Sequence, residues 1–340
     1  MNDPIVKPPI AHGGALAATV KKYGGNKADW IDLSTGINPN HPAMPKIGYH
    51  IWQALPDADL MENCLISAQN FYGFSQSAAL VAAPGVQALI QLLPHLRQGA
   101  KAAILGPTYG EYAHVFQTLG SGSRVINSLD DLRDETIAII VNPNNPDGRI
   151  IDKTTLLKLA ETLASKNGLL IIDEAFCDLT PKLSVAGHVG MGGLLVLKSF
   201  GKFFGLAGVR LGFAAGHAED IAILERHLGP WAVSGPALVI GAACYSDAVL
   251  RTKISTSIQR NSSAQIQIYN QYGLSVIANT GLFHLLYHPH AAAIHEDLAQ
   301  QHILARIFSG QPNWLRLGLC KNKAERARLA LALSTCLSRL

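Results

Sequence analysis

Charge is scarce in this chain. Asp, Glu, Lys and Arg make up 15% of its 340 residues, and the formal net charge is only +4. Nothing here suggests a polybasic surface for nucleic acid or membrane. Aromatic residues are also few, at 7%. The five cysteines (Cys64, Cys177, Cys244, Cys320 and Cys336) are scattered, with no C-x-x-C pair. That pattern lacks the arithmetic of a disulfide framework, and reduced thiols in a cytoplasmic protein are the expectation. Long apolar runs are missing too. Stretches such as 236–244 are too short to span a bilayer. Met1-Asn2-Asp3-Pro4 is followed by no apolar run behind a basic region, so no secretory signal is expected. No fixed-period repeat or low-complexity segment is present.

Hydrophobic residues are plentiful, at 48%, enough for a sizeable core and too many for disorder. The length suggests a large domain with a smaller one. Residues 1–40, rich in Pro, Gly and Asn with a helical stretch near 14–23, read as an N-terminal arm or lid. Residues 41–216 read as the large domain. Helices are expected at 86–96, 109–119 and 153–165, and short apolar strands at 102–105, 124–126, 137–141, 169–172 and 194–197. Strands alternating with helices predict an α/β fold: a mostly parallel sheet sandwiched by helices. Residues 217–340 read as a smaller α+β domain. It has a helix-rich stretch over 217–272, strands at 282–287, 303–308 and 314–319, and helices near 291–301 and 322–338.

The strongest chemical signal is Ser199-Phe200-Gly201-Lys202, with Arg210 eight residues on. A lysine at the end of a buried strand is costly unless it is neutral or bonded. A Schiff base with a carbonyl cofactor would resolve that cost, and Ser199 and Arg210 would then hold a phosphate. An exposed glycine-loop lysine is the plain alternative. A P-loop does not fit, because Phe203 follows the lysine instead of Ser or Thr. Lys198 has the wrong spacing to Arg210. Asp173, closing strand 169–172, sits where α/β sheets place ligands, and beside a pyridine nitrogen it would keep that nitrogen protonated. Magnesium binding or a helix cap would use the same residue.

Weaker signals surround these two. Asn145, in the turn-rich run Asn142-Pro143-Asn144-Asn145-Pro146-Asp147-Gly148, could donate to a phenolic oxygen or be only a turn residue. Gly85 and Val86 open a helix whose free N–H groups could take an anion, or they simply follow Pro84. Tyr109 could stack on an aromatic cofactor or lie in the core. Arg306 and Arg316, in apolar strands, call for an anionic partner unless alternation turns them to solvent. His12 and Asn38 carry no meaning alone. His288, His290 and His295 lack a carboxylate or cysteine at ligand spacing, so no metal is expected.

Taken in order and spacing, Asn145, Asp173, Ser199, Lys202 and Arg210 resemble the fold-type I pyridoxal-phosphate enzymes. Within that group the chain is similar to the threonine-phosphate decarboxylases of cobalamin biosynthesis, relatives of histidinol-phosphate aminotransferase. The resemblance rests on His12-Gly13-Gly14, on Asp32-Leu33-Ser34-Thr35-Gly36-Ile37-Asn38-Pro39, on 199–213, and on the segments around Arg306 and Arg316. It implies pyridoxal 5'-phosphate as cofactor and Lys202 as the Schiff-base lysine. It also implies that Asp173 pairs with the pyridinium, Asn145 binds the ring oxygen and Tyr109 stacks on the ring. Gly85, Val86, Ser199 and Arg210 would hold the phosphate. Arg316 would bind the substrate carboxylate, and Arg306 its phosphate with help from His12 and Asn38. A homodimer, in which the arm reaches across the interface, is also implied.

Two departures stand out. Phe176 replaces a tyrosine common in relatives, and Leu55-Pro56-Asp57 replaces Tyr-Pro-Asp. The expected reaction converts O-phospho-L-threonine to (R)-1-aminopropan-2-ol phosphate. An aminotransferase, a decarboxylase of O-phosphoserine and a non-catalytic binding protein are the alternatives.

Overall fold

The computed structural model describes residues 13–190 and 192–340. Its largest element is a seven-stranded sheet. In spatial order the strands are Ala79–Ala83, Gly212–Gly216, Leu194–Ser199, Leu169–Asp173, Ile137–Val141, Ala102–Leu105 and Ser123–Ile126. Strand Gly212–Gly216 runs antiparallel to both neighbours, and the other neighbouring pairs are parallel. Strands covered on both faces need unbroken aliphatic runs. Ile137–Val141 (IAIIV) and Leu169–Asp173 (LLIID) supply them and are buried along their whole length.

Residue parity divides the two faces. Ile139, Val141, Leu169, Ile171, Leu195 and Leu197 pack with Leu89, Tyr112 and Ile221. Ala138, Ile140, Leu170, Ile172 and Val196 pack with Val185 and with Leu156, Ala160 and Leu163. The last three form the apolar stripe of helix Lys153–Ala164, whose N-cap Asp152 accepts from the Thr155 N–H at 2.9 Å. Capping of this kind satisfies an otherwise orphan helix donor.

The C-terminal part builds a four-stranded antiparallel sheet, ordered Arg306–Phe308, Gln311–Gly318, Phe283–Tyr287, Ser275–Asn279. Helices Ala291–Gln300 and Lys323–Leu337 pack with it through Ile294, Leu298, Leu329 and Leu333. Here the structure corrects the expected strand 303–308. The chain breaks at Ala305: Ile303–Leu304 pairs in parallel with Ile31–Asp32, and only Arg306–Phe308 joins the antiparallel sheet. Residues 31–38, read as part of an arm, are correspondingly well packed, with Ile31, Leu33, Ser34 and Asn38 buried. Four strands went unforeseen: Ile31–Asp32, Ala79–Ala83, Gly212–Gly216 and Ser275–Asn279. The small residues of Gly212–Gly216 and the alternately exposed Ser275–Asn279 carry little apolar signal. Among the described residues, no helix is long and apolar enough to cross a membrane.

Candidate active site

The carboxyl ends of Ile137–Val141, Leu169–Asp173 and Leu194–Ser199 converge on one region, and most of the foreseen residues lie there. Asp173 is the last residue of its strand and is buried. Its carboxylate accepts from the Tyr112 hydroxyl at 2.6 Å and from the Ala175 N–H at 2.8 Å. Burial pushes this carboxyl up. The bonds from Tyr112 and Ala175, and the charge of Lys202, work the other way and favour the anion.

Lys202 lies one step beyond expectation. The strand ends at Ser199, and Lys202 sits in the short helix Phe200–Phe203. Its backbone carbonyl accepts from the Asn38 N–H at 2.9 Å. Its ammonium stands 5.7 Å from the centroid of Phe176. Burial, reinforced by Arg316 and Arg210 and opposed by Asp173, brings the amine down to about 8. A lysine with a depressed pKa beside an acid is the state that carbonyl chemistry requires.

The anion cradle is built by close approach. Gly85 has φ +84°, and a Cβ there would lie 2.6 Å from the Arg210 guanidinium. Arg210 is itself in the left-handed region (φ 57°), with its guanidinium bonded to Ala207 O at 3.3 Å. Opposite, a Cβ on Gly212 would meet the Val86 nitrogen at 2.6 Å. Only glycine permits these approaches. Together they bring the start of helix Val86–Leu92 and Arg210 to one point, and Ser199 is paired with Gly212 in the sheet. A phosphate fits this donor set, and an aldehyde fits the amine.

Tyr109 follows strand Ala102–Leu105 and is held by a network absent from the sequence reading. Its hydroxyl donates to Gln87 at 3.0 Å, and the Gln87 amide donates to the buried Glu111 carboxylate at 2.8 Å. Burial, then Glu111 and Asp173, push the phenol up to about 12. Tyr112, Gln87 and Glu111 were missed because a helix pattern shows them as core or surface. The signal available was polar side chains close in sequence to the two candidates, Gln87 beside the Gly85 turn and Glu111 and Tyr112 just after Tyr109.

Arg316 and Arg306 are register partners on adjacent strands, so two guanidinium groups share one neighbourhood. Arg316 is buried. It donates to the Asn145 side-chain oxygen and, at 2.6 Å, to the Ser34 carbonyl. The Arg316 Nε has no hydrogen-bond partner among the described residues. A buried donor of this kind suits a ligand that brings an acceptor. Burial and the Arg306 charge bring Arg316 down to about 10, and burial lowers half-buried Arg306 as well. Ser34 is fixed in turn by Asp32, which accepts from its hydroxyl at 2.6 Å, while the Gly14 N–H donates to the Ser34 oxygen at 2.8 Å.

Asn38 is buried, and its amide donates to Phe203 O at 3.0 Å. It therefore belongs to the lysine turn as much as to the arm. His12 lies outside the described residues. Phe176 packs edge-on against Phe283 at 5.1 Å, while Leu55 is exposed.

The family model described as "Aminotransferase class I and II" matches residues 55–333. The chain belongs to this family, whose members use pyridoxal 5'-phosphate. Two similar proteins are threonine-phosphate decarboxylases. The one from Sinorhizobium sp is 44% identical, covering 96% of this chain and 98% of its own. The one from Pseudomonas aeruginosa is 38% identical over 95% and 97%. A solved histidinol-phosphate aminotransferase from Clostridium acetobutylicum shares the fold, with a TM-score of 0.79 at 22% identity, covering 91% of this chain and 99% of that one.

Proposed function

We infer that this chain is a pyridoxal-phosphate-dependent carboxy-lyase. It converts O-phospho-L-threonine to (R)-1-aminopropan-2-ol phosphate and carbon dioxide in cobalamin biosynthesis. The relatives matched almost end to end support this. The observation that carries it in the structure is the Arg306–Arg316 pair, two cations in register beside Asn145. That arrangement suits a substrate with two anionic ends.

Bound pyridoxal 5'-phosphate supplies an electron sink for the pair of electrons left when a bond at the amino-acid Cα breaks. The chain's own residues determine which bond that is. Gly85, Val86, Ser199 and Arg210 would hold the phosphate end, Tyr109 would cover one ring face and Asn145 would hold the ring oxygen. Asp173 would keep a proton at the pyridine nitrogen. Lys202 would carry the cofactor and later deliver a proton at Cα, a role suited to an amine near pKa 8. Arg316 would grip the carboxylate, and Arg306 the phosphate, with help from His12 and Asn38. Two fixed ends restrict rotation about the Cα bonds, which is how orientation selects between losing the carboxylate and losing the proton.

The domain reading (arm 1–40, large domain 41–216, small domain 217–340) is proposed on the separation of the two main sheets. Tyr49, Trp52 and Trp231 are large and exposed, which supports a homodimer burying them. Five buried free cysteines, none near its ordinary acidity, suit a reducing cytoplasm.

One incubation tests the reaction. The chain loaded with cofactor is mixed with phosphothreonine, phosphoserine and histidinol phosphate, and products are separated by mass. Carbon dioxide and aminopropanol phosphate are expected. A keto product formed with 2-oxoglutarate, and no carbon dioxide, would identify an aminotransferase instead. Discrimination against phosphoserine should be modest, about 10–200-fold, because one methyl group separates it from phosphothreonine.

A further inference from the structure

Behind the strand tips that carry Asp173 and Ser199, on the other face of the sheet, lies a charged cluster the reaction above does not use. Glu174 and Lys198 are almost fully excluded from solvent and form an ion pair with a 2.5 Å separation. Ser184 closes the pair. Its hydroxyl donates to Glu174 at 2.5 Å and accepts from Lys198 at 3.3 Å. The Val185 N–H donates to the other Glu174 oxygen at 2.8 Å, and the Lys198 ammonium stands 4.8 Å from the Tyr72 ring centroid.

Taking two charges out of water costs about as much as their attraction returns, and a matched apolar pair would serve the fold as well. Stability alone therefore does not account for this pair. Its position does. Glu174 directly follows Asp173, and Lys198 directly precedes Ser199. The Glu174 N–H also donates to Leu197 O at 2.9 Å, extending the link between the two strands past the Asp173–Leu197 register pair. Because successive strand residues face opposite ways, a pin on one face fixes the acid and the lysine turn on the other.

We propose that the Glu174–Lys198 pair is a positioning device for the reaction centre: it locks together the two strand tips that present Asp173 and Lys202, and keeps the charge behind Asp173 balanced. This rests on the reading of Lys202 and Asp173 given above. The other charged or titratable groups in the cluster are Asp178, Cys177 and Arg251, with Tyr72 and Tyr245 beside them. Asp178 is buried, its Oδ2 has no partner among the described residues, and burial holds it up to about 7. Across the sheet, Asp173 meets Tyr112, Lys202 and Glu174, and Lys202 meets Arg316 and Arg210. Removing one member of the pair leaves a single charge close behind Asp173, and its sign should register in the proton equilibria of the site.

The test is a pH titration of the visible absorbance of the cofactor-loaded chain, with thermal melts and kinetics alongside. The proteins compared are wild type, Lys198→Met, Glu174→Gln and the double variant. Lys198→Met leaves a negative charge and should raise the titration midpoint. Glu174→Gln leaves a positive one and should lower it. Each shift should be about half a pH unit or more. The double variant carries no unpaired charge, so it should fold and titrate like wild type. Without the pin, it should lose about tenfold in kcat with KM unmoved. Shifts of one sign, no shift in single variants that fold, or a double variant with wild-type kcat would overturn the proposal. Should neither single variant fold, the kcat of the double variant decides. A wild-type chain with no absorbance band dependent on Lys202 would refute the parent reading before any variant is compared, and this inference with it.

Discussion

A half-buried amine flanked by two guanidinium groups is in a costly state whenever it is protonated. For Lys202, held near 8 against an ordinary 10.5, the cost is about 3 kcal/mol. Being a lowered base, it carries the full penalty below pH 8 and sheds it as pH rises toward 10.5. The cofactor-free Lys202→Met variant should therefore melt higher than wild type at pH 7, and the gap should close above pH 10. With pyridoxal 5'-phosphate added, the same variant should lack the visible band of the lysine-bound cofactor. Arg306→Ala should raise KM for the phosphorylated substrate about a hundredfold, the worth of a charge-assisted contact, with cofactor affinity within about twofold; steady-state kinetics and cofactor titration check both. Lys202, Asp173 and Arg210 were legible in the sequence because buried charge in an apolar context is rare and spacing limits its roles. Tyr112 was not, since a tyrosine on the buried stripe of a helix looks like core until Asp173 is seen opposite its hydroxyl.

At the scale of elements, the cradle depends on how closely strand Gly212–Gly216 can approach the start of helix Val86–Leu92. Gly212→Ala would drive a methyl group toward the Val86 nitrogen, and a helix start tied to its neighbours cannot retreat freely. We expect a loss of about 1–3 kcal/mol in stability together with weaker cofactor binding, read by denaturant melts and by equilibrium dialysis of the cofactor. The aliphatic parallel strands and their helices could be read from periodicity within a residue or two. The antiparallel strand Gly212–Gly216 could not, because Gly-Phe-Ala-Ala-Gly has no strand signature of its own and is recruited by its neighbours. The expected strand at 303–308 failed for a related reason. Its apolar run continues through Ala305, but the chain changes sheets there, and only pairing partners far away in sequence reveal the switch.

For the whole molecule, acid tolerance should be set partly by His284. It is fully buried, with Nε2 2.8 Å from the Ser262 hydroxyl and Nδ1 lacking a partner among the described residues. Burial lowers its pKa to about 4 from 6.5. The unfolded chain takes up a proton below pH 6.5 while the folded chain does not, so stability drains as pH falls from 6.5 to about 4, by about 3 kcal/mol in total. His284→Gln should flatten that limb of the melting curve, whatever its stability at pH 7.

The two register-paired arginines have a practical consequence for anyone handling the protein. Two guanidinium groups set side by side favour an anion between them, so simple oxyanions should find a berth there. Phosphate or sulfate buffers would then compete with the amino-acid ligand and make affinities look poorer than they are. A purification and assay scheme built on chloride and a zwitterionic buffer avoids this masking.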